Sequence, residues 1–502
     1  MTAGVIMLGA YGKLDMYISY NPQITFFKIV YKRHTYFSQE AINQYFTTTP
    51  NFDTQTSCIL FNNADLVSDI YLNITLPAIP KSLANSNYYY KWIDYVGLNL
   101  IKKIDVVIGN KVIQRLEADF LFTNFITKGF TNKTSKKGTH KRGIDILTGN
   151  TTDLTTYTTQ KNSYQLSIPL PFWFCQSTGT SLPLNSLNLS EVQINLELNK
   201  LGKLLSVGAT HSITVRETVC LFTPQEYIYQ GATNSIGIFL YYDSVSKTIY
   251  FNQLQGSFQK STTSIEKELV NSYENNYLIR NSKYYYHQPT VDVQDENTKL
   301  NISANISNAY LLVNYIFLEN TERLKYYRLS HQYLIEQQQY YYNTKIVSPN
   351  NRILLNFVNP LIELIFIVRL NNHLEKNIIY CFKENADNSG TELVKSCQVT
   401  FNGADIMSSR TVDFTQLIEM YKCHKNCTIN RGINIYSFSL SPEEVQPSGS
   451  CNFSRIEKSY LEFTVSSLVS YSNKASIKVI GRSYNIIQLV NGTVELLFDN
   501  NQ

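Results

Sequence analysis

The sequence predicts an all-β protein that contains two copies of one β-sandwich. The first observation is an internal repeat, and repeats of this size decide the architecture. At an offset of 294 positions two separated stretches align with equal spacing between them: Asp69–Leu72 with Glu363–Phe366, and Gly109, Val112 and Asp119-Phe120 with Gly403, Ile406 and Asp413-Phe414. The second observation is a series of short, β-branched and aromatic segments separated by turn residues, which is typical of sandwich sheets.

The strands of the first copy follow from their composition and turns. Leu66 to Leu76 is rich in β-branched and aromatic residues and stops at Pro77. Ile104–Ile108 and Lys111–Leu116 flank Gly109-Asn110, a two-residue hairpin signal. A helical segment is predicted at about 118–127. Further on, apolar residues alternate at Val192, Ile194, Leu196 and Leu198, as expected of a sheet with one buried face.

The second copy repeats this order. Gln398–Phe401 leads into Asn402-Gly403, the pair that supplies the two positive-φ residues of a type I′ turn, and the following strand runs through Ile406. A second helical segment is predicted at about 412–422. Apolar residues then alternate with polar ones at Leu461, Phe463 and Val465, as they do at 192–198 in the first copy.

The lengths between these landmarks predict a division of the chain. The predicted parts are an N-terminal arm (1–36), a first sandwich (37–319) with an insertion at about 223–305, a connector with some helix (320–349), a second sandwich (350–490) and a C-terminal tail (491–502). The insertion is predicted to be a loop excursion, because loops of this length are normally functional or disordered.

Composition and charge argue against a disordered chain and against a specific nucleic-acid-binding protein. Hydrophobic residues make up 43% of the 502 residues and charged residues only 17%, which is a globular balance. The net charge of +5 is mild, and the one dense basic run, Lys133–Arg142, is rich in Gly, Thr and Ser. We interpret it as a solvated loop, with polyanion contact as the alternative, and predict no specific nucleic-acid partner.

The eight cysteines show no regular framework, and no secretory signal or membrane-length apolar run accompanies them. We therefore expect free thiols in a reducing compartment. Cys423-His424-Lys425-Asn426-Cys427 resembles half a zinc site, but no second pair at similar spacing occurs, so we interpret it as coincidence.

No catalytic motif is found. The chain lacks a Gly-rich phosphate loop, a His-Glu-x-x-His segment and a Gly-x-Ser-x-Gly segment, and its seven histidines are scattered. We predict no catalytic, cofactor-binding or metal-binding residues, no cofactor, and no enzymatic activity.

Several ordered motifs resemble the major capsid proteins of nucleocytoplasmic large DNA viruses. They cover nearly the whole chain: Asn21–Lys28, Tyr31–Thr35, Ile168–Phe174, Leu182–Leu184, Glu191–Asn195, Ser330–Gln337, Gln446–Arg455 and Arg482–Asn485. The resemblance implies two tandem eight-stranded jelly rolls with short helices in the loops. It also implies homotrimers that form pseudo-hexagonal capsomers and tile an icosahedral shell.

The implied partners are a second and third copy of the chain, neighbouring capsomers, minor capsid proteins and an inner membrane-associated layer. The implied location is the virion, with synthesis and assembly in the host cytoplasm. The apolar and basic stretch at residues 26–34 is expected in an arm on the inner side of the shell. Three alternatives stay open at this point: a glycan-processing hydrolase, a carbohydrate-binding spike, and a minor capsid paralogue.

Overall fold

The computed structural model describes residues 3–10, 12–62, 64–80, 90–128, 139–158, 160–220, 222–224, 226–260, 278–280, 286–287, 290, 294–295, 304–385, 390–424, 427 and 432–498. The basic run at Lys133–Arg142 lies outside these residues, apart from the backbone that begins a helix at Thr139. Among the helices of the described part, none has both the length and the apolar character needed to cross a bilayer.

The strands fall into two similar sets. The first set is β1 (Phe37–Tyr45), β2 (Gln55–Ile59), β3 (Leu66–Leu76), β4 (Tyr90–Trp92), β5 (Ile101–Ile108), β6 (Lys111–Glu117), β7 (Tyr164–Pro169), β8 (Leu182–Pro183), β9 (Val192–Leu198) and β10 (Leu205–Val207). An inserted group follows as β11 (His211–Thr214), β12 (Tyr227–Gln230), β13 (Ser235–Asp243), β14 (Thr248–Gln255), β15 (Leu278–Arg280), β16 (Tyr286–His287) and β17 (Gln294–Asp295), and β18 (Asn308–Leu318) returns to the first set.

The second set consists of β19 (His331–Ile346), β20 (Asn350–Leu354), β21 (Pro360–Leu370), β22 (Val394–Phe401), β23 (Ala404–Thr411), β24 (Ile433–Ser437), β25 (Cys451–Asn452), β26 (Ser459–Val465), β27 (Ala475–Val490) and β28 (Thr493–Leu496). The helices are α1 (Ala3–Gly9), α2 (Lys13–Ser19), α3 (Val96–Leu100), α4 (Ala118–Lys128), α5 (Thr139–Thr148), α6 (Thr152–Thr155), α7 (Asn320–Arg328), α8 (Asn371–Glu375) and α9 (Glu419–Cys423). A π-helical turn, Phe414–Ile418, precedes α9.

Each set builds two antiparallel sheets with four main strands in the same order, which confirms the predicted pair of eight-stranded jelly rolls. The first has β1-β18-β3-β7 and β2-β9-β5-β6, and the second has β19-β27-β21-β24 and β20-β26-β22-β23. The short strands β8, β25 and β28 pair with β3, β21 and β27 beside these main strands. The sheets enclose apolar cores, because side chains on the inward faces alternate with outward ones. Leu72, Val106 and Leu196 lie in the first core, and Phe366 and Leu461 lie in the second.

The predicted hairpins and helices are confirmed at their expected positions. Gly109 and Asn110 have φ of 55° and 66°, and Asn402 and Gly403 have φ of 48° and 87°. These positive values turn β5 into β6 and β22 into β23 with the twist that a tight hairpin requires. Each hairpin is followed directly by helix, α4 in the first jelly roll and the π-helical turn with α9 in the second.

The predicted connector, 320–349, is wrong in its second half. Helix α7 occupies Asn320–Arg328, as expected of a linker with some helix. However, β19 covers His331–Ile346 and pairs along β27 from His331–Leu489 to Ile346–Ala475, so it is the first strand of the second jelly roll. The many Gln and Tyr residues of this segment favoured a linker. They are compatible with a strand, because the two faces of β19 meet different polar and apolar neighbours.

The predicted loop excursion at 223–305 is also wrong for the part that the structure describes. This insertion lies between β10 and β18, and its described strands form a seven-stranded sheet in the order β16-β15-β12-β13-β14-β11-β17. Ile213, Ile228, Phe239 and Phe251 form a small separate core within it. The sheet starts at His211, before the expected boundary, so the insertion is a folded module.

The predicted tail at 491–502 begins with a strand. Strand β28 pairs with the end of β27 through Val490–Thr493 and Ile487–Leu496. Asn491 and Gly492, both with positive φ, make the turn between them. At the other end of the chain, β1 starts at Phe37, directly after the predicted arm.

Candidate assembly surfaces

The two jelly rolls contact each other through two different surfaces. The first jelly roll presents β6 and α4, which we call the hairpin surface. The second presents the outward face of its β19-β27-β21-β24 sheet, which we call the sheet surface. Five isoleucines of the sheet surface are buried as part of the core of the first jelly roll: Ile365, Ile367, Ile433, Ile435 and Ile480. The contact therefore buries apolar area as a protein core does.

Polar contacts fix the register of β6 against β19. The Gln114 amide donates from Nε2 to Gln338 Oε1 at 3.0 Å, and Gln337 donates from Nε2 to the Ile113 carbonyl at 2.6 Å. Farther along, the Tyr340 hydroxyl donates to the Arg115 carbonyl at 3.2 Å. Because these side chains bind strand backbone and each other, a shift of the two strands would leave buried polar groups without partners.

A buried ionic cluster anchors the hairpin surface. Asp119 lies 2.7 Å from Arg369 Nη2 and 2.8 Å from Lys478 Nζ, and Lys478 also lies 2.9 Å from Glu117. Burial opposes ionisation of Asp119, but the two cations outweigh it and hold the pKa of this carboxyl well below its usual range. The Tyr342 hydroxyl donates to the Glu117 carboxylate and closes the cluster.

A second ionic cluster lies deeper in the sheet surface. The Arg482 guanidinium donates to Glu363 at 2.5 Å, to Glu336 at 2.8 Å and to the Pro442 carbonyl at 3.0 Å. Arg482 and Glu363 are almost completely buried. Burial alone would raise the pKa of Glu363, but the charges of Arg482 and His424 lower it to about 2. Two of the sequence motifs, Ser330–Gln337 and Arg482–Asn485, meet in this cluster.

His424 extends the cluster and explains the segment that resembles half a zinc site. Its Nδ1 lies 2.9 Å from Glu443 Oε1, and its Nε2 lies 3.2 Å from Glu363 Oε2 without hydrogen-bond alignment. Burial disfavours the charged imidazole, but the two carboxylates outweigh it and raise the pKa of His424 to about 9. Cys423 contacts Glu419 instead. Within the described residues, no three His, Cys, Asp or Glu side chains are grouped to hold a metal ion.

The aromatic motif at Phe172–Phe174 is a buried corner of the first core. All three rings are buried, and Trp173 lies with its ring centre 5.7 Å from that of Tyr333 on β19. The Trp173 backbone amide donates to Gln114 Oε1 at 2.9 Å. This corner therefore also supports the strand that carries the contact between the jelly rolls.

Within the part of the chain that the structure describes, each jelly roll leaves one surface largely uncovered. The first leaves its sheet surface open, where Phe37 and Tyr45 on β1 and Tyr71 on β3 are exposed. The second leaves its hairpin surface open: seven of the eight residues of β23 are exposed, and so are Ile418 and Tyr421 in the following helical segment. Large apolar and aromatic groups gathered on such surfaces mark interaction sites.

The N-terminal arm is exposed along its described length. Phe26 and Phe27 are 88% and 98% exposed, and Val5, Ile6 and Leu8 of α1 are also open to solvent. An apolar segment of this kind is stable only when another surface covers it.

The inserted module rests on both jelly rolls. Asn252 donates to the Tyr157 hydroxyl at 2.7 Å, and Lys376 Nζ donates to the carbonyls of Gln253 and Leu254, both at 3.3 Å. These contacts bridge the module to the first jelly roll and to the segment after α8 of the second. The module is therefore fixed in orientation relative to both.

All eight cysteines are free thiols in the structure, and Cys58, Cys381, Cys397 and Cys423 are buried. Burial raises the pKa of Cys58 and of Cys397 to about 11, so both thiols stay protonated and unreactive near neutral pH.

These features define a double jelly-roll protein in which several of the sequence motifs serve packing between domains. Two family models match the chain: "Major capsid protein N-terminus" over residues 25–233 and "Large eukaryotic DNA virus major capsid protein" over residues 322–494. The chain is 31% identical to "Probable capsid protein 4" of Acanthamoeba polyphaga mimivirus over 97% of its own length and 98% of the relative's. It is 26% identical to the major capsid protein of Phaeocystis pouchetii virus over the full length of both.

Solved structures of this class share the fold. The capsid structure of PBCV-1 superimposes with a TM-score of 0.63 at 20% identity and covers 95% of this chain and 100% of the other. The Faustovirus major capsid protein superimposes with a TM-score of 0.61 at 13% identity and covers 96% and 94%. The chain belongs to the family of large eukaryotic DNA virus major capsid proteins.

Proposed function

We propose that this chain forms homotrimers, that each trimer is a pseudo-hexagonal capsomer, and that capsomers tile an icosahedral shell. The observation that carries the proposal is the contact between the jelly rolls, which joins two similar domains through unlike surfaces. A contact of this kind continues around a ring when its rotation closes. Three chains of two jelly rolls supply six similar blocks with threefold symmetry.

The exposed arm supports a role beneath the capsomer. Its apolar residues need cover and its basic residues, Lys28, Lys32 and Arg33, need solvent or anionic partners. Contact with neighbouring capsomers, with minor capsid proteins or with an inner membrane-associated layer meets both needs. In this arrangement the inserted module, tethered over both jelly rolls, lies on the outer side of the shell.

The relatives are capsid proteins, and we infer that this chain likewise acts in the virion as a structural protein without catalytic activity. The charges of Asp119, Arg369 and Lys478 are paired with each other in the contact between the jelly rolls. The free, buried thiols agree with synthesis and assembly in the host cytoplasm.

The test is the mass of the purified protein in solution, followed by electron microscopy. A mass of three times 57.7 kDa at micromolar concentration and six-lobed particles are expected. A permanent interface of this kind should bury more than about 2,000 Å² in total. A stable monomer at that concentration would refute the trimer, and six-lobed particles that never form shells with the relevant partner proteins would refute the tiling.

A further inference from the structure

The N-terminal arm combines exposed apolar side chains with basic charge. Among its described residues, 13 large apolar or aromatic side chains are at least 46% exposed. The arm also carries a net charge of +3 with neutral histidine, from four basic residues and one acidic residue: Lys13, Lys28, Lys32, Arg33 and Asp15. The whole chain has a net charge of +5, so this short segment holds more than half of it.

The first apolar part of the arm is α1. This helix contains no charged residue, and its side chains Val5, Ile6, Met7 and Leu8 are 53–83% exposed. A helix that is apolar on every side is stable only when its surroundings are apolar too. Its seven residues rise about 1.5 Å each and cannot span the ~30 Å of a bilayer core, so α1 is suited to lie at a membrane surface and not to cross it.

The second apolar part interleaves aromatic and basic residues. Phe26 and Phe27 are almost fully exposed, and the apolar residues 29–31 follow directly after Lys28 and before Lys32 and Arg33. Aromatic rings favour the boundary between lipid headgroups and acyl chains. Lysine and arginine can lay their aliphatic stems along apolar surface while the charged ends reach the headgroups.

The conformation and the charge of the arm favour an anionic lipid surface as its partner. Residues 20–36 contain neither helix nor strand. Binding to a lipid surface depends on buried apolar area and on charge, so it requires no fixed register between the two partners. The single acidic residue, Asp15, accepts a hydrogen bond from the Gly12 amide at 2.9 Å, and no second carboxylate opposes an anionic headgroup.

We propose that the arm binds the anionic surface of a lipid membrane directly, with α1 and Phe26-Phe27 among the outer acyl groups and Lys28, Lys32 and Arg33 at the headgroups. The proposal rests on the proposed trimer, because a single short segment of this kind binds a membrane weakly and reversibly. Three arms on one capsomer act together, and such linkage raises the overall affinity by roughly 10²–10⁴-fold.

The first experiment is flotation of the purified full chain with lipid vesicles. The protein should float with vesicles of phosphatidylcholine mixed with phosphatidylserine and bind vesicles of phosphatidylcholine alone about 10-fold less tightly or worse. Raising the salt concentration from about 0.1 M to 1 M should weaken binding to the mixed vesicles, because salt screens exposed charges. Deletion of residues 1–36 should abolish flotation.

The second experiment changes the two chemical elements of the arm separately in the full chain. Phe26→Ser with Phe27→Ser removes the aromatic pair, and Lys28→Glu with Lys32→Glu reverses two charges. Each double variant should weaken binding to the mixed vesicles by about 10-fold or more. The mass in light scattering and the melting temperature should stay at the wild-type values, because the substituted residues are exposed.

Matched controls carry the same kinds of change far from the arm in the sequence. Leu440→Ser with Tyr471→Ser removes two apolar side chains that are 77% and 81% exposed. Lys345→Glu with Lys458→Glu reverses two exposed charges and alters the net charge as the arm variant does. Both controls should bind the mixed vesicles as tightly as the wild type.

The outcomes separate this proposal from the proposed trimer. A trimeric wild-type protein that does not float with the mixed vesicles, or arm variants that float as well as their controls, refute lipid binding and leave the trimer intact. Equal binding to both kinds of vesicle refutes the role of the basic residues at the headgroups. A monomeric wild-type protein refutes the trimer, and loss of its residual flotation on deletion of residues 1–36 would still support lipid binding by the arm.

Discussion

The outward faces of the two jelly rolls occupy the same place in one fold and differ in chemistry. In the second jelly roll this face carries isoleucine at five positions: Ile365, Ile367, Ile433, Ile435 and Ile480. Strand pairing places other residue types at the corresponding positions of the first: Tyr71, Asn73, Ser167, Pro169 and Leu312.

The difference reflects when each face is covered. The face of the second jelly roll is covered by the same chain, so it is shielded from water whenever the protein is folded and can be apolar. The face of the first is open in the single chain, where large apolar patches invite aggregation. Tyrosine and asparagine tolerate water and can still pack against a partner.

The largest expected effect on stability is the loss of Arg482 from the buried ionic cluster, compared with the loss of Asn314 at the corresponding position of the first jelly roll. Strand pairing places Arg482 opposite Glu363 and Asn314 opposite Asp69 at corresponding positions. Arg482→Ala removes the guanidinium that binds both Glu336 and Glu363 and leaves only His424 beside Glu363, so it should lower the free energy of unfolding by about 3–5 kcal/mol. Asn314→Ala removes a 2.9 Å hydrogen bond to Ser68 and should cost only about 1 kcal/mol. Urea unfolding at equal protein concentration measures both, and equal losses would contradict the comparison.

A smaller effect is expected from the apolar contact itself. Ile367→Ala removes a fully buried side chain between the jelly rolls and should cost about 2–4 kcal/mol. Its counterpart Asn73 accepts a hydrogen bond from Ser167, and Asn73→Ala should cost about 1 kcal/mol. Thermal unfolding followed by circular dichroism compares the two variants. A larger loss for Asn73→Ala would mean that the first jelly roll depends on its outward face more than the second does.

The pH dependence of stability should come from the second jelly roll. His424 has a folded pKa raised to about 9 from 6.5, so its contribution is fully present below about pH 6.5 and is lost as pH rises through about 9. The loss amounts to at most about 3 kcal/mol. Comparing wild type with His424→Gln isolates it, since other groups titrate in both proteins. The stability difference between the two should shrink from pH 6 to pH 9.5, and a constant difference would show that the imidazole is not held charged.

Much of the fold could be predicted because its signals are local. Strand β3 has the predicted bounds, Leu66–Leu76, and both hairpin turns follow from Gly-Asn and Asn-Gly pairs. The repeat then predicted the second jelly roll from the first. Two local predictions failed. Strand β19 lacks alternation because its faces meet different surroundings. The inserted module has two strands rich in β-branched and aromatic residues, β13 and β14, but they stand among long polar segments that favoured a loop.

The assembly surfaces were harder to predict because they depend on residues far apart in the chain. Arg482 and Glu336 stand in motifs that the sequence singled out, but nothing in either motif shows that they pair. The carboxylate partners of His424 lie in other segments, so its ionic role was hidden behind a resemblance to a zinc site. The repeat held the missing signal, since aligned positions with opposite polarity, such as Asn73 and Ile367, indicate faces with different partners.

The smallest effect on stability is expected at the N-terminal arm. Its described residues are exposed, and β1 begins at Phe37. Deleting residues 1–36, with an initiator methionine retained, should shift the melting temperature by less than about 2 °C, because no buried contact is lost.

A deletion of residues 1–45 is the matched comparison. It removes all of β1, which pairs with β18 from Phe37–Leu318 to Tyr45–Tyr310 and forms one edge of the open sheet surface. This variant should lose several kcal/mol of unfolding free energy, because β18 loses the edge strand that pairs with it, and it should no longer associate. The shorter deletion should keep the trimer and weaken only shell assembly, measured by electron microscopy of assembly reactions. Loss of the β-sheet signal in circular dichroism after the shorter deletion would instead place the arm in the folded core, and the distinction between arm and sheet surface would fail.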